Sequence, residues 1–152
     1  MAFMRGAILD DCYQLAPKLR KADLQEIKAN ANIKAIDALI QGFQLSEVPI
    51  SIFDDQEEIV CMFGCCPTNI RSAAIIWLLA SNGLAKNLSY RFLKHSRGGI
   101  EIFQKRYPVL YNFIDARNTL HIKWLKFCGF TFIKKHFNYG YEKRLFYEFI
   151  RI

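Results

Sequence analysis

The sequence predicts a single α/β domain in which a mixed β-sheet is flanked by helices. Three observations carry this reading. The chain has 152 residues, 52% of them hydrophobic and 23% charged, which suits one folded domain with a sizeable core and excludes a disordered chain. Short apolar runs bounded by Pro, Asn, Asp and Gly alternate with segments of helical period. Ala73–Ala80 is apolar throughout, as a strand covered on both faces requires, and a helical segment and another strand follow it.

In chain order, the N-terminal stretch reads as a strand around Met4–Leu9. A helix follows, capped by Asp10 or Asp11, with Tyr13, Leu15 and Leu19 at apolar positions. One further helical pattern runs from Ala22, with Leu24, Ile27, Ile36, Leu39 and Ile40 apolar, and ends near Gly42. Pro49 opens an extended segment, Ile50–Phe53, and the turn Asp54-Asp55-Gln56-Glu57 joins it to Ile59–Phe63 as a hairpin. Pro67 and Asn69 mark the next turn, before the strand Ser72–Ala80. Residues 88–106 look helical, with Leu88, Phe92, Ile102 and Phe103 apolar. Gly98-Gly99 should interrupt that helix or split it, because glycine weakens a helix interior. Pro108 ends it, and Val109–Ile114 is the next strand. Thr119–Cys128 is the clearest helix, with Leu120, Trp124 and Phe127 on one stripe and Lys123 and Lys126 outward. Gly129 stops it where left-handed backbone is wanted. A hairpin comes last: Thr131–Phe137, a turn through Asn138-Tyr139-Gly140, then Lys143–Ile152. The order is β-α-α-β-β-β-α-β-α-β-β.

Composition narrows the function classes. The longest apolar run has eight residues, Ala73 to Ala80, whereas a membrane span needs about 20. Met1–Asp11 carries one basic residue and reaches acidic residues before a signal-peptide core could form, so no export is expected. Cys12, Cys61, Cys65, Cys66 and Cys128 are odd in number and lack paired C-x-x-C spacing. That pattern points to reduced, buried thiols and away from a disulfide framework or a structural zinc site. The net charge of +7 is uneven: residues 1–85 hold 7 Lys+Arg against 10 Asp+Glu, and residues 86–152 hold 14 against 4. The basic half either meets an anionic partner or forms a solvated helix face.

The segment Asn118-Thr119-Leu120-His121-Ile122-Lys123-Trp124-Leu125-Lys126-Phe127-Cys128-Gly129-Phe130 is more specific. It places an Asn at the end of a strand, then a helix, then Gly-Phe eleven and twelve positions on. In this pattern Asn118 caps the helix and Gly129 takes the left-handed conformation. Spacing and element order together resemble the GNAT acetyltransferases, whose mixed sheet splays between its fourth and fifth strands. A narrower likeness covers roughly residues 60–150. There Met62-Phe63-Gly64, Ile76-Trp77-Leu78-Leu79 and the run from Tyr107 to Asn118 resemble GNAT-like proteins of tailed bacteriophages, some described as internal virion or virion-assembly proteins. That likeness implies synthesis in bacterial host cytoplasm, with incorporation into the virion and other virion proteins as partners among its consequences.

The GNAT resemblance implies acetyl-CoA as cofactor, held along the fourth strand and the loop after it. The candidate contacts are Leu78, Leu79, Ala80, Asn82, Gly83, Lys86, Arg91 and Asn118. The family's usual phosphate loop, Gln/Arg-x-x-Gly-x-Gly/Ala, lets phosphate approach backbone N–H groups at a helix start. Here Ser81-Asn82-Gly83-Leu84-Ala85-Lys86-Asn87 has one glycine and departs from that pattern. A degenerate loop would bind phosphate through Lys86 and Arg91, but an ordinary strand-to-helix turn is the favoured reading, because a lone Gly in a turn is common. The tyrosine that many members carry seven residues after the Asn is Leu125, which cannot donate a proton, and Ser72–Ala80 carries no carboxylate. Glu26, Asp115 and His121 are the substitutes available for acid–base work. Each has a plainer role: Glu26 facing solvent, Asp115 ordering a strand end, His121 packing on Trp124. The implied function is an N-acetyltransferase with a degenerate site and weak or lost activity, that is, a pseudoenzyme. The alternative is a non-catalytic virion or assembly protein on the same fold. Nucleic-acid binding would use the basic residues from Lys86 to Arg144 between Phe92, Tyr107, Trp124 and Tyr139. Those aromatics have core-like spacing and no known nucleic-acid motif accompanies them.

Overall fold

The computed structural model describes residues 3–86 and 90–152, and of residues 90 and 91 the backbone alone. The elements are β1 (Phe3–Gly6), α1 (Leu9–Leu15), α2 (Lys21–Ala31), α3 (Ala35–Leu45), β2 (Ile50–Phe53), β3 (Ile59–Pro67), β4 (Ala73–Ala80), α4 (Gly83–Lys86), α5 (Tyr90–Arg106), β5 (Val109–Asp115), α6 (Thr119–Phe127), β6 (Thr131–Tyr139) and β7 (Arg144–Arg151). The strands form one mixed seven-stranded sheet in the order β1-β2-β3-β4-β5-β7-β6. Every pairing is antiparallel except β4 with β5, which is parallel, and α5 supplies the crossover between them.

The apolar patterns become two cores, one on each face of the sheet. Phe63, Ile76, Ile100, Leu110 and Trp124 pack on the side of α5 and α6. Cys12, Leu15, Ile27, Leu39, Met62 and Leu79 pack on the side of α1, α2 and α3. Consecutive residues of β4 divide between them, Ile76 and Leu78 to one face and Trp77 and Leu79 to the other, as the two-residue period demands. Fully burying one side chain of the size of Phe63 or Leu39 is worth about 1.5–3 kcal/mol, so the two faces together hold the sheet between its helices.

Five local expectations change. Strand β3 runs on through Pro67, expected in a turn, and Pro67 pairs with Ala74 at its end. The first strand stops at Gly6 and its residues are exposed at the sheet edge; helix α1 begins at Leu9. The helical pattern after Ala22 is two helices, because Asn32 adopts left-handed backbone (φ 53°) and closes α2 through its N–H to the Ile27 and Lys28 carbonyls. Helix α5 runs unbroken through Gly98-Gly99. Two glycines cost a helix about 1 kcal/mol each, and the buried stripe Phe92, Ser96 and Ile100 outweighs them, while Ile102 points to solvent. The last turn lies later than expected: β6 includes Asn138 and Tyr139, so of the three expected turn residues Gly140 (φ 77°) alone lies in the turn, which runs on to Lys143. Among the described residues no helix is long and apolar enough to cross a membrane, no three His, Cys, Asp or Glu side chains gather as a metal site, and all five cysteines are free.

Candidate active site

The sheet opens where the parallel pair β4–β5 ends. Strands β4 and β5 pair at Ala73–Val109, Ala74–Leu110 and Ile75–Tyr111, and no further. The next ladder bond would run from the Phe113 N–H to the Ile76 carbonyl. The side chain of Asn112 replaces it: its Nδ2 donates to Ile76 O at 2.8 Å and its Oδ1 accepts from Phe113 N at 2.8 Å. One carboxamide therefore holds the strands apart while satisfying both backbone groups. Beyond it the even-numbered residues of β4 turn their N–H and C=O groups into the gap. Those of Ala80 are taken, N–H by Asp23 Oδ2 at 2.9 Å and C=O by the Arg20 N–H at 2.8 Å. Those of Leu78 have no strand partner across the opening.

A cavity of about 500 Å³ fills the splay on the α2–α3 side. Glu26 from α2, Trp77 from β4, Tyr111 and Phe113 from β5, His121 from α6 and Tyr139 from β6 all line it. The Trp77 indole is fixed by its N–H to Ser46 Oγ at 2.7 Å and lies on Gly42, where an added Cβ would fall 2.9 Å from the ring. The Phe113 and Tyr139 rings stack with centroids 4.7 Å apart.

A buried polar network closes the wall where α2 meets the sheet. Asn118 donates from Nδ2 to Asp23 Oδ1 at 2.8 Å and accepts at Oδ1 from the Arg20 guanidinium at 3.3 Å. Arg20 reaches Asp23 at 3.5 Å. Asn118 thus does not cap α6 with its side chain, contrary to expectation. Its carbonyl accepts the first bond of that helix, from the Ile122 N–H, while the amide spans the sheet opening to α2. Burial pushes the Asp23 carboxyl upward against the pull of Arg20, the Ala80 N–H and Asn118.

Of the three acid–base candidates, Glu26 departs most from its plainer reading. Its carboxylate does not face open solvent. Oε1 accepts from the Asp115 N–H at 2.9 Å and lies 3.5 Å from Asn118 Nδ2, while Oε2 makes no hydrogen bond to the described residues. Burial, then the neighbouring Asp23 charge, raises its pKa to about 8, against the Asp115 N–H and Asn118. Asp115 is engaged elsewhere: both oxygens hold the Arg117 guanidinium, and Oδ1 also accepts the Arg117 N–H at 2.9 Å. It orders the strand end and lies outside the cavity wall. His121 lines the cavity and packs on Trp124, ring centroids 5.5 Å apart. Burial, then Arg20, lowers its pKa to about 3, so it is neutral. His121 Nδ1 and Trp124 Nε1 are buried without a hydrogen-bond partner among the described residues.

The cofactor candidates divide. Leu78 and Leu79 line the splay, and Asn118 bonds Asp23 at the end where the strands have parted. Ala80 is buried, with its backbone already bonded. Asn82 and Lys86 are exposed, and Gly83 starts the four-residue α4 with its N–H on Ser81 Oγ at 3.2 Å. The Arg91 side chain and residues 87–89 lie outside the described residues. Leu125 is buried in the α5–α6 core and does not face the cavity. Sequence reasoning missed Asn112, Trp77, Tyr111 and Tyr139 as site residues. Asn112 had a signal, since asparagine is depleted from strand interiors. The aromatics had none, because alternating aromatics read as core.

No protein-family model matches this chain, and no curated protein matches it significantly. Solved structures do. A GNAT-family acetyltransferase from Bacillus anthracis superposes with a TM-score of 0.71 at 9% identity, over 99% of this chain and 94% of that one. The ribosomal-protein-S18-alanine N-acetyltransferase of Escherichia coli gives 0.67 at 11%, over 99% and 92%. The spermidine N-acetyltransferase of Vibrio cholerae, solved with CoA and spermine, gives 0.64 at 13%, over 99% and 94%. The chain has the GNAT acetyltransferase fold.

Proposed function

We propose, from that shared fold and the chemistry of the splay, that this chain transfers an acetyl group from acetyl-CoA to an amine, with Glu26 as general base. The observation that carries the proposal is a carboxyl group at the opened strand pair whose pKa lies near 8 and whose second oxygen is uncommitted. A base is most useful when its pKa is close to the working pH.

The residues present fit the cofactor's arm. That arm is an extended chain bearing amides, and the Leu78 N–H and C=O offer it a strand edge without a competing strand. The buried Nδ1 of His121, without a hydrogen-bond partner among the described residues, is a further polar group beside the opening. The exposed Lys86 and the basic second half supply positive charge for phosphates. Bound acetyl-CoA would supply an acetyl group activated as a thioester. Glu26, once ionised, takes a proton from the acceptor ammonium and leaves a nitrogen lone pair free to attack the thioester carbonyl. The C–N bond would form as the C–S bond breaks, and the coenzyme would leave as a thiolate, stable enough at a thiol pKa of about 8.5 to depart without a dedicated acid and take its proton from water. Neutral His121 adds no positive charge to repel that ammonium. The aromatic walls limit water, which strengthens the Glu26 interaction.

The test is thiol release from acetyl-CoA in the presence of primary amines, alongside the melting temperature. A ligand that binds only the folded state raises that temperature by mass action. The expected result is a coenzyme-dependent rise, turnover that grows with pH through about 8, and a loss of about 10²–10⁴-fold in Glu26→Gln. The likeness to phage proteins motivates the competing reading, a non-catalytic virion or assembly protein. Clear cofactor binding with no thiol release from any amine would favour it.

A further inference from the structure

We infer that the cavity beside Glu26 accepts a small primary amine with one positive charge and an apolar, preferably aromatic, body. This rests on the acyl-transfer reading for the reaction, although the cavity's selectivity can be measured without it.

Charge makes the first selection. Among the described residues Glu26 is the only acid lining the cavity, and no Lys or Arg lines it, although the chain as a whole carries +7. His121 is neutral there. A carboxylate or phosphate on the acceptor would enter without a cation to receive it, and a second ammonium would find no second acid. Either charge would lose its water without compensation, at a cost of about 1.4 kcal/mol for each tenfold loss of affinity.

The walls make the second selection. Trp77, Tyr111, Phe113 and Tyr139 present aromatic surface around the single acid, and Ile27 and Leu45 add aliphatic surface. Aromatic faces attract an ammonium by about 0.5–2 kcal/mol and pack an apolar body equally well. The polar groups among these walls are partly consumed: both ends of the Asn112 carboxamide bond backbone, and the Trp77 N–H bonds Ser46. Asn30 and Gln41 remain, both uncharged, with the neutral His121 ring and the Tyr111 and Tyr139 hydroxyls. A volume of about 500 Å³ is that of a small-molecule pocket, within the usual range of about 300–1,000 Å³.

The experiment titrates four compounds into the protein without cofactor, by calorimetry and Trp fluorescence. They are phenethylamine, spermidine, phenylalanine and 2-phenylethanol. At pH 9 Glu26 is ionised, with its pKa of about 8, and an alkylammonium with a pKa of about 10.4 is still charged. The expected order puts phenethylamine first, with the other three at least about tenfold weaker. Glu26→Gln should remove the preference for phenethylamine over 2-phenylethanol, with an unchanged urea midpoint or better confirming that the variant folds. Thiol release is then assayed on the same four. Spermidine or phenylalanine binding as well as phenethylamine would overturn the inference, and so would no amine binding at all. Acyl transfer to those other amines would leave the proposed function standing. Selective phenethylamine binding without thiol release would support the inference and refute the acyl-transfer reading instead.

Discussion

Glu26→Gln tests the site through stability as well as rate. The folded-state pKa of Glu26 is raised from 4.5 to about 8, so between those values the native state holds a proton that the unfolded chain has released. Its contribution is fully present below about 4.5 and is lost as pH rises through about 8. At about 1.4 kcal/mol per pH unit the ceiling is about 5 kcal/mol. Glu26 is only partly buried and opens onto the cavity, so water there should reduce this to roughly 1–3 kcal/mol. Glutamine keeps the shape and never ionises. Urea unfolding of both proteins at pH 4.5, 6, 7 and 9 should therefore show the native protein losing about 1–3 kcal/mol relative to the variant, and no more at higher pH. Taking the difference removes the opposite trend from His121. Its lowered pKa gives stability that is present above about 6.5 and is lost as pH falls toward about 3. A flat difference, or a native protein that gains on the variant as pH rises, would show Glu26 to be an ordinary ionised carboxylate and would remove the basis for its role as a base.

Three further substitutions probe the surroundings. Asn118→Ala strips buried Asp23 and Arg20 of a shared partner and should cost about 2–4 kcal/mol in urea unfolding; a loss under 0.5 would mean that water replaces the amide. Leu125→Tyr places a hydroxyl in a side chain only 1% exposed, so it should lower stability by about 1–3 kcal/mol without raising thiol release; a faster rate would show that the position reaches the cofactor after all. Gly140→Ala would put a Cβ 2.6 Å from the Ala29 carbonyl at φ 77°, and a loss of about 1–3 kcal/mol should appear as a lower melting temperature, whereas an unchanged value would refute the close approach.

The sheet was legible because β4 could only be a strand covered on both faces, and because Asn118 and Gly129 fixed the ends of α6. What stayed hidden depends on contacts between distant segments. The Asn118 amide looked like a cap from its neighbours in sequence, yet its partners are Arg20 and Asp23. Glu26 sits on a helix of mixed polarity, and nothing local shows that α2 lies across the opened strands. Gly98-Gly99 misled for the same reason, since propensity is a local quantity and the burial of Phe92 and Ile100 is not. Asn112 was readable in principle as a polar residue inside an apolar strand. Its two bonds to the separating backbones needed the register.

The helix carrying Glu26 is fastened at both ends by distant parts of the chain. Its first turn is bonded to Ala80, and its last carbonyls, at Ala29 and Asn30, accept the N–H groups of Glu142 and Tyr141. During synthesis residue 26 leaves the ribosome long before residues 141 and 142 exist. Chains are made at about 5–20 residues per second and domains fold as units, so this helix waits several seconds for its second anchor. Contacts of such long sequence separation are also late in folding, because loop closure opposes them until much else is in place. The end of the helix that presents Glu26 is therefore held by the last hairpin made, and nascent chains stalled before it should lack the bonds from Tyr141 and Glu142 that fix it.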